Sequence, residues 1–452
     1  MLQPVNKLPS ELISHIAQYF LQTRSNTRRI VPLTHVCQYW RESIITTPAN
    51  WTLISSSRAD LAALSLKRSK DALLQLQLDT ASVKRDHEFR DLIAPYIQNI
   101  ETLLFDGLEA IEDLTQILPN FPQSTPNLRT LVLGTLGGEP GWDPSADPFE
   151  LFPDTLRSLT LYDIPLYPSF LKLKTLTKLS LNYYTDLTPL ETVLDFLEGN
   201  QSLENVDLVI DFPTWMSRGR TVILGRLRHL SITSSDVLIA GTLISRIPLQ
   251  GGAHLEVSFR DNGRGMGLYE IMHRISLAPL IPPPTFMEYG SLTPMVRLVG
   301  PNGSFSYHHE GSRGVPFDDL CELPLANIRE LRLAHRDPSI EFHPPSFPVL
   351  ETLTVQNGTD VSHLFSALFP NPSFPPYLKT LGFLDCDITE EFMEELSQFA
   401  SDRKKTTSAW LHRVVIVHQE GKFPSVASIR ELEKHIPIVD VQFGRILPTN
   451  LT

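Results

Sequence analysis

Apolar residues recur along this chain in one short spacing: an apolar residue, two of any kind, an apolar, one of any kind, an apolar. NLRTLVL (127–133), TLRSLTL (155–161), NIRELRL (327–333) and YLKTLGF (377–383) are examples. Twelve copies begin at Leu73, Ile100, Leu128, Leu156, Leu176, Leu203, Leu227, Ile328, Leu350, Leu378, Leu411 and Ile436, and neighbouring copies are mostly 20 to 33 residues apart. The last two apolar positions of each copy stand two residues apart, the spacing of one face of a strand.

Self-similarity at this period spans the leucine-rich-repeat range of roughly 20–29 residues. Helix-like segments precede several copies: SSRADLAALSLKRSKD, HEFRDLIAPYIQNI, IEDLTQILPNF and PLETVLDFLEGN. The expected fold class is therefore α/β: an irregular leucine-rich-repeat solenoid over residues 53–452, with a curved parallel sheet and helices outside it. Proline stands just before strands in FPDTL, TPNL, FPVL and FPPYL, where a fixed φ suits a chain turning into an edge. The pattern fails between Leu227 and Ile328. There GAHLEVSF, MVRLVG and GSFSYHH read as strands, and LAPLIPPPTF reads as a loop between them. We expect degenerate repeats with longer loops over about 234–325.

Residues 1–52 lack the repeat and read as helical. Leu8, Leu12, Ile13, Ile16, Tyr19 and Phe20 fall on one helical stripe, with Pro9 suited to the first turn and Glu11 to the positive end of the dipole. After a polar, basic stretch, a second stripe runs through Leu33, Val36, Cys37, Trp40 and Ile44, and Pro48 ends it.

Bulk properties narrow the function classes. The chain has 452 residues and a net charge of −12, which argues against nucleic acid and anionic membrane surfaces as partners. Its three cysteines, Cys37, Cys321 and Cys386, form no close pair, as suits a reducing compartment. MLQPVNKLPS has no signal-peptide pattern and no window reaches 18 apolar residues. The expected location is cytoplasmic or nuclear.

The order LP-x-EL, VC-x-x-W, P-x-x-W is carried by Leu8-Pro9, Glu11-Leu12-Ile13, Val36-Cys37, Trp40-Arg41, and Pro48 with Trp51. It resembles the F-box family, and an F-box followed by leucine-rich repeats resembles the large F-box families of filamentous fungi. The resemblance covers about the first 50 residues. It implies a non-catalytic substrate receptor of an SCF-type ubiquitin ligase: an F-box domain over 1–52 docks a Skp-type adaptor, which bridges to a cullin scaffold, and the repeats hold an unknown target protein. By resemblance, the adaptor contacts are sought at Leu8, Pro9, Leu12, Ile13, Ile16, Val36, Cys37 and Trp40. Leu12, Ile16, Val36 and Trp40 have the alternative role of packing the helices together. A repeat-based interaction scaffold outside a ligase is the second reading.

The residues between apolar strand positions face outward, which nominates Tyr162, Lys178, Asn182, Asn205, Asp207, His229, Glu330, Arg332 and Arg413 for target binding. No cofactor, metal or catalytic residue is expected. NGRGMG (262–267) has the spacing G-x-G-x-G without a following P-loop lysine and reads as a turn. His308-His309-Glu310 places neighbours on opposite faces if extended, lacks a companion ligand cluster, and reads as a surface loop. Cys37 reads as a small core residue.

Overall fold

A computed structural model describes residues 8–22, 30–79, 87–108, 118, 123–135, 152–183, 188–210, 220–260, 284–290, 295–301, 303–309, 325–334, 347–356, 361, 375–406, 410–418 and 424–443. The chain forms two compact units, Met1–Leu227 and Arg228–Thr452. This division falls within the repeats.

The first unit begins with helices α1 (Ser10–Gln22), α2 (Ile30–Leu33) and α3 (Gln38–Thr46), followed by a 3-10 turn at Pro48–Trp51. Ile13, Ala17, Ile30, Trp40, Ile44 and Trp51 make their shared core. The second apolar stripe, expected as one helix, is two. The chain breaks between Leu33 and Gln38, and Cys37 is the N-cap of α3, its Sγ accepting from the Trp40 N–H at 3.5 Å. Pro9 likewise precedes its helix, and its carbonyl accepts from the N–H groups of Leu12 and Ile13. Ser14 Oγ donates to buried Asn50 Oδ1 at 2.9 Å, and the Trp51 indole N–H donates to the Ile44 carbonyl at 2.9 Å. These bonds fasten the turn against α1 and α3.

Among the described residues of this unit seven strands follow: β1 (Leu53–Ser55), β2 (Leu74–Asp79), β3 (Ile100–Leu108), β4 (Thr130–Thr135), β5 (Ser158–Tyr162), β6 (Lys178–Tyr183) and β7 (Asn205–Ile210). Each pairs in parallel with the next. The register aligns the repeats: Leu131 lies beside Leu159, Leu159 beside Leu179 and Leu179 beside Val206, all buried. Burying a side chain of this size contributes about 1.5–3 kcal/mol. Helices precede β2 (Ala59–Ser69), β3 (His87–Ile93), β6 (one turn, Pro168–Leu171) and β7 (Leu190–Gly199). The segment IEDLTQILPNF lies almost wholly outside the described residues.

The first apolar residue of a repeat closes a turn before the strand. Leu128 N–H donates to the Thr125 carbonyl, Leu156 to Pro153, Leu203 to Asn200, Ile328 to Leu325, Leu350 to Phe347 and Leu378 to Pro375. This i→i+3 bond explains the pre-strand prolines: Pro126, Pro348 and Pro376 occupy the second turn position, which favours φ near −60°. A hydroxyl staircase joins successive turns. Thr155 donates to the Leu128 carbonyl, Thr175 to Leu156 and Ser202 to Leu176. The first copy departs from the pattern: Leu74 is buried and Leu73 exposed, and the β2–β3 register shifts at Leu74/Gln75.

The second unit holds β8 (His229–Ser234), β9 (His254–Phe259), β10 (Phe286–Gly290), β11 (Met295–Gly300), β12 (Gly303–His309), β13 (Glu330–Ala334), β14 (Thr352–Gln356), β15 (Thr380–Leu384), β16 (Arg413–His418) and β17 (Ile438–Phe443). Strands β13 to β17 continue the parallel order. The region expected to hold degenerate repeats is different in kind. Strand β9 pairs in parallel with β12, β12 and β11 pair antiparallel, β11 and β10 pair antiparallel, and β10 pairs in parallel with β13. A reversed three-stranded meander thus occupies the place of repeats, and Phe286, read as the end of a loop, opens a strand. Two-residue alternation predicts a strand but carries no information on its direction. Among the described residues no helix is long and apolar enough to cross a membrane.

Candidate functional sites on the helical segment and the strand face

The helical segment divides its apolar residues between core and surface. Ile13 and Trp40, nominated for an adaptor contact, are buried in the helical core. Leu8, Ile16 and Cys37 are half-buried against that core, while Pro9 is exposed. Leu12 is 48% exposed and Val36 49%. Tyr19 and Phe20 on α1, Val31 on α2 and Tyr39 on α3 are also exposed. Leu12, Ile16 and Tyr19 share one face of α1 at helical spacing. Tyr39 OH donates to the Leu8 carbonyl at 3.1 Å, holding the entry to α1 beside α3. Arg41 Nε donates to the Thr34 carbonyl at 3.0 Å and fixes the break before α3.

The outward strand face carries the other nominated residues. Tyr162, Lys178, Asn205 and Arg413 are exposed, and Asp207, His229, Glu330 and Arg332 are half-buried. Asn182 lies in the outward register but is buried; its amide donates to Ser180 Oγ, and Ser180 donates to Asp207 Oδ2 at 3.0 Å. Asn182 and Ser180 therefore form a polar link that holds Asp207. Arg332 Nη2 is 3.7 Å from Glu330 and its guanidinium lies 5.6 Å from the Phe286 ring centroid. Arg413 pairs with Asp440 at 2.8 Å. Most of these charges are held by neighbours on the sheet.

One cluster was not legible in the chain. On β8, β9 and β12 the parallel register sets His229 beside His254 and His254 beside Ser304. The two imidazoles stack with centroids 5.0 Å apart. Glu256, two residues along β9, reaches both ways: Oε2 is 3.8 Å from His229 Nε2, and Oε1 is 3.5 Å from His308 Nε2. His254 Nδ1 and Ser304 Oγ are 2.5 Å apart. Burial, then the neighbouring His229, lowers the pKa of His254 and favours its neutral form. His308, read as part of a surface loop, belongs to a strand, and its companions come from strands distant in sequence. Glu310 and NGRGMG lie outside the described residues.

No protein-family model matches the chain, and no curated protein matches it either.

Proposed function

We propose that the chain is the substrate receptor of an SCF-type ubiquitin ligase, acting in the cytoplasm or nucleus. Its helical segment docks a Skp-type adaptor and through it a cullin scaffold, and its outward strand face holds a target protein. The observation that carries the reading is the sorting of the LP-x-EL…VC-x-x-W residues. Ile13 and Trp40 go to the core, while Leu12 on α1 and Val36 in the break between α2 and α3 stay about half exposed.

The partition has a physical sense. A helical piece of about 50 residues buries too little surface to be stable alone, so it leans on an attached domain and a partner. The strands of each unit in turn carry polar and charged side chains on their outward side, and such groups set partner choice and encounter rate. Nothing in the proposal requires catalysis by this chain.

The test is co-purification of the 452-residue chain with a recombinant Skp-type adaptor. Leu12→Asp with Val36→Asp should abolish capture while leaving the circular dichroism spectrum unchanged. Capture that persists in the folded double variant moves the adaptor contact elsewhere. If the wild-type chain captures no adaptor, an interaction scaffold outside a ligase is the better reading.

A further inference from the structure

We propose that His229, His254 and Glu256 form a binding site for one divalent transition-metal ion of the zinc type. This site is independent of the receptor reading and lies within the unit Arg228–Thr452.

The three side chains each offer a ligand atom, and these atoms all lie within 4.8 Å of one another. A tetrahedral ion with metal–nitrogen distances of about 2.0–2.1 Å places its ligands about 3.3 Å apart. The imidazoles and the carboxylate thus need to close by on the order of 1 Å, within reach of small side-chain rotations. Their backbones are fixed by two parallel strand pairings, β8–β9 and β9–β12, so the site is built on rigid elements and not on a loop.

The surrounding groups suit a ligating role. If Nδ1 of His254 donates its proton to Ser304, Nε2 is left with its lone pair directed elsewhere, the arrangement in which a histidine ligates through one nitrogen and is oriented through the other. His308 stands on the carboxylate's second oxygen, 3.5 Å from Oε1, and orients Glu256. Arg297 also acts electrostatically on His254, but it pairs with Glu288 at 3.8 Å, which tempers its repulsion of a cation.

The donor set selects the ion class. Two imidazoles and one carboxylate match zinc, cobalt and nickel, whereas magnesium and calcium prefer all-oxygen shells. Three protein ligands leave one tetrahedral position for water.

The test uses the 452-residue chain without an affinity tag, stripped with a chelator and titrated with Zn²⁺ against a chromophoric chelator. The expected result is one Zn²⁺ per chain. His254→Asn and Glu256→Gln should each weaken binding at least tenfold, and His412→Asn, at an exposed position away from the cluster, should leave it unchanged. A hundredfold excess of Mg²⁺ should not compete. Cobalt supplies a readout that needs no variant: Co²⁺ added to the wild-type chain should give the visible absorption bands of a four- or five-coordinate ion. Absence of stoichiometric Zn²⁺ binding, full affinity in the two variants, displacement by Mg²⁺, or a purely six-coordinate Co²⁺ spectrum each overturns the assignment.

Discussion

The Arg68 guanidinium lies over the Trp51 ring, 4.3 Å from its centroid. Trp51 closes the helical segment, and Arg68 sits in the last turn of the helix Ala59–Ser69 that precedes β2. The N-terminal helices and the first repeat therefore share a side-chain contact, and the tryptophan of the P-x-x-W pattern belongs to both.

Removing either member should loosen that contact to different extents. Arg68→Ala loses a cation–π contact worth about 0.5–2 kcal/mol. Trp51→Ala loses a buried ring and should cost about 3–5 kcal/mol. Urea unfolding followed by tryptophan-independent circular dichroism measures both. Equal losses would mean that the ring's burial is unimportant.

Inward and outward strand positions should respond differently to truncation. Leu131 and Leu381 are fully buried, and changing either to Ala leaves a cavity costing about 2–5 kcal/mol. Thr380, half-buried in the outward register, should change stability by about 0.5 kcal/mol or less when replaced by Ala. Thermal unfolding midpoints separate the two classes, and similar shifts would refute the register.

Arg403 should be hard to replace. It is fully buried, and its guanidinium donates to the carbonyls of Pro375 and Leu378, which flank the turn before β15. Burial pushes its pKa down to about 10. Arg403→Met keeps apolar volume but takes the guanidinium donor from the buried Leu378 carbonyl, at a penalty of about 1–3 kcal/mol. Denaturant midpoints should fall accordingly, and a neutral result would show that water replaces the guanidinium.

Acid should loosen the link between two C-terminal helices. Glu390 accepts from Ser428 Oγ and from the Ser425 N–H, and these bonds, the Ser428 hydroxyl first, lower its pKa below 4.5. A carboxylate with a depressed folded pKa contributes stability above its unfolded value and loses it as pH falls through the folded one. Amide exchange at Ser425 and Ser428 should therefore quicken as pH drops below 4.5, after correction for intrinsic rates. Glu390→Gln should remove that dependence; a variant that keeps it assigns the effect to another group.

The strand face should govern target choice apart from adaptor docking. Tyr162 is 43% exposed at one end of the β5–β6 pair, beside Asn182, and Lys178 is exposed at the other end, beside Ser158. Tyr162→Ala with Lys178→Ala should change the set of captured proteins and leave adaptor binding intact. An unaltered set would place recognition on another surface.

Much of the repeat architecture is legible because burial acts residue by residue. Leu131 and Leu133 must face inward wherever the strand sits, so alternation and period identify it. The turn bonds are partly legible too, since Thr155, Thr175 and Ser202 each stand just before a first apolar residue. Pairing order is a different matter. Glu256 and Ser306 are neighbours only because β12 folds back beside β9, a long-range choice that local alternation does not encode. The histidine cluster was hidden for the same reason: His229, His254 and His308 have no motif spacing and meet only through the sheet. On the helical segment, spacing marked Ile13 and Leu12 alike as apolar; only packing shows that one is internal and the other exposed.

The reversed meander sets a schedule for synthesis. A parallel solenoid can add each strand to the last as the chain leaves the ribosome, but β9 must wait for β12, made after β10 and β11. At about 5–20 residues per second, the stretch from Phe259 to Gly303 takes several seconds to emerge. During that interval the edge of β9 that β12 will cover has no partner from its own chain. Nascent protein therefore passes through a stage in which that edge is exposed to other chains, until β12 pairs with it.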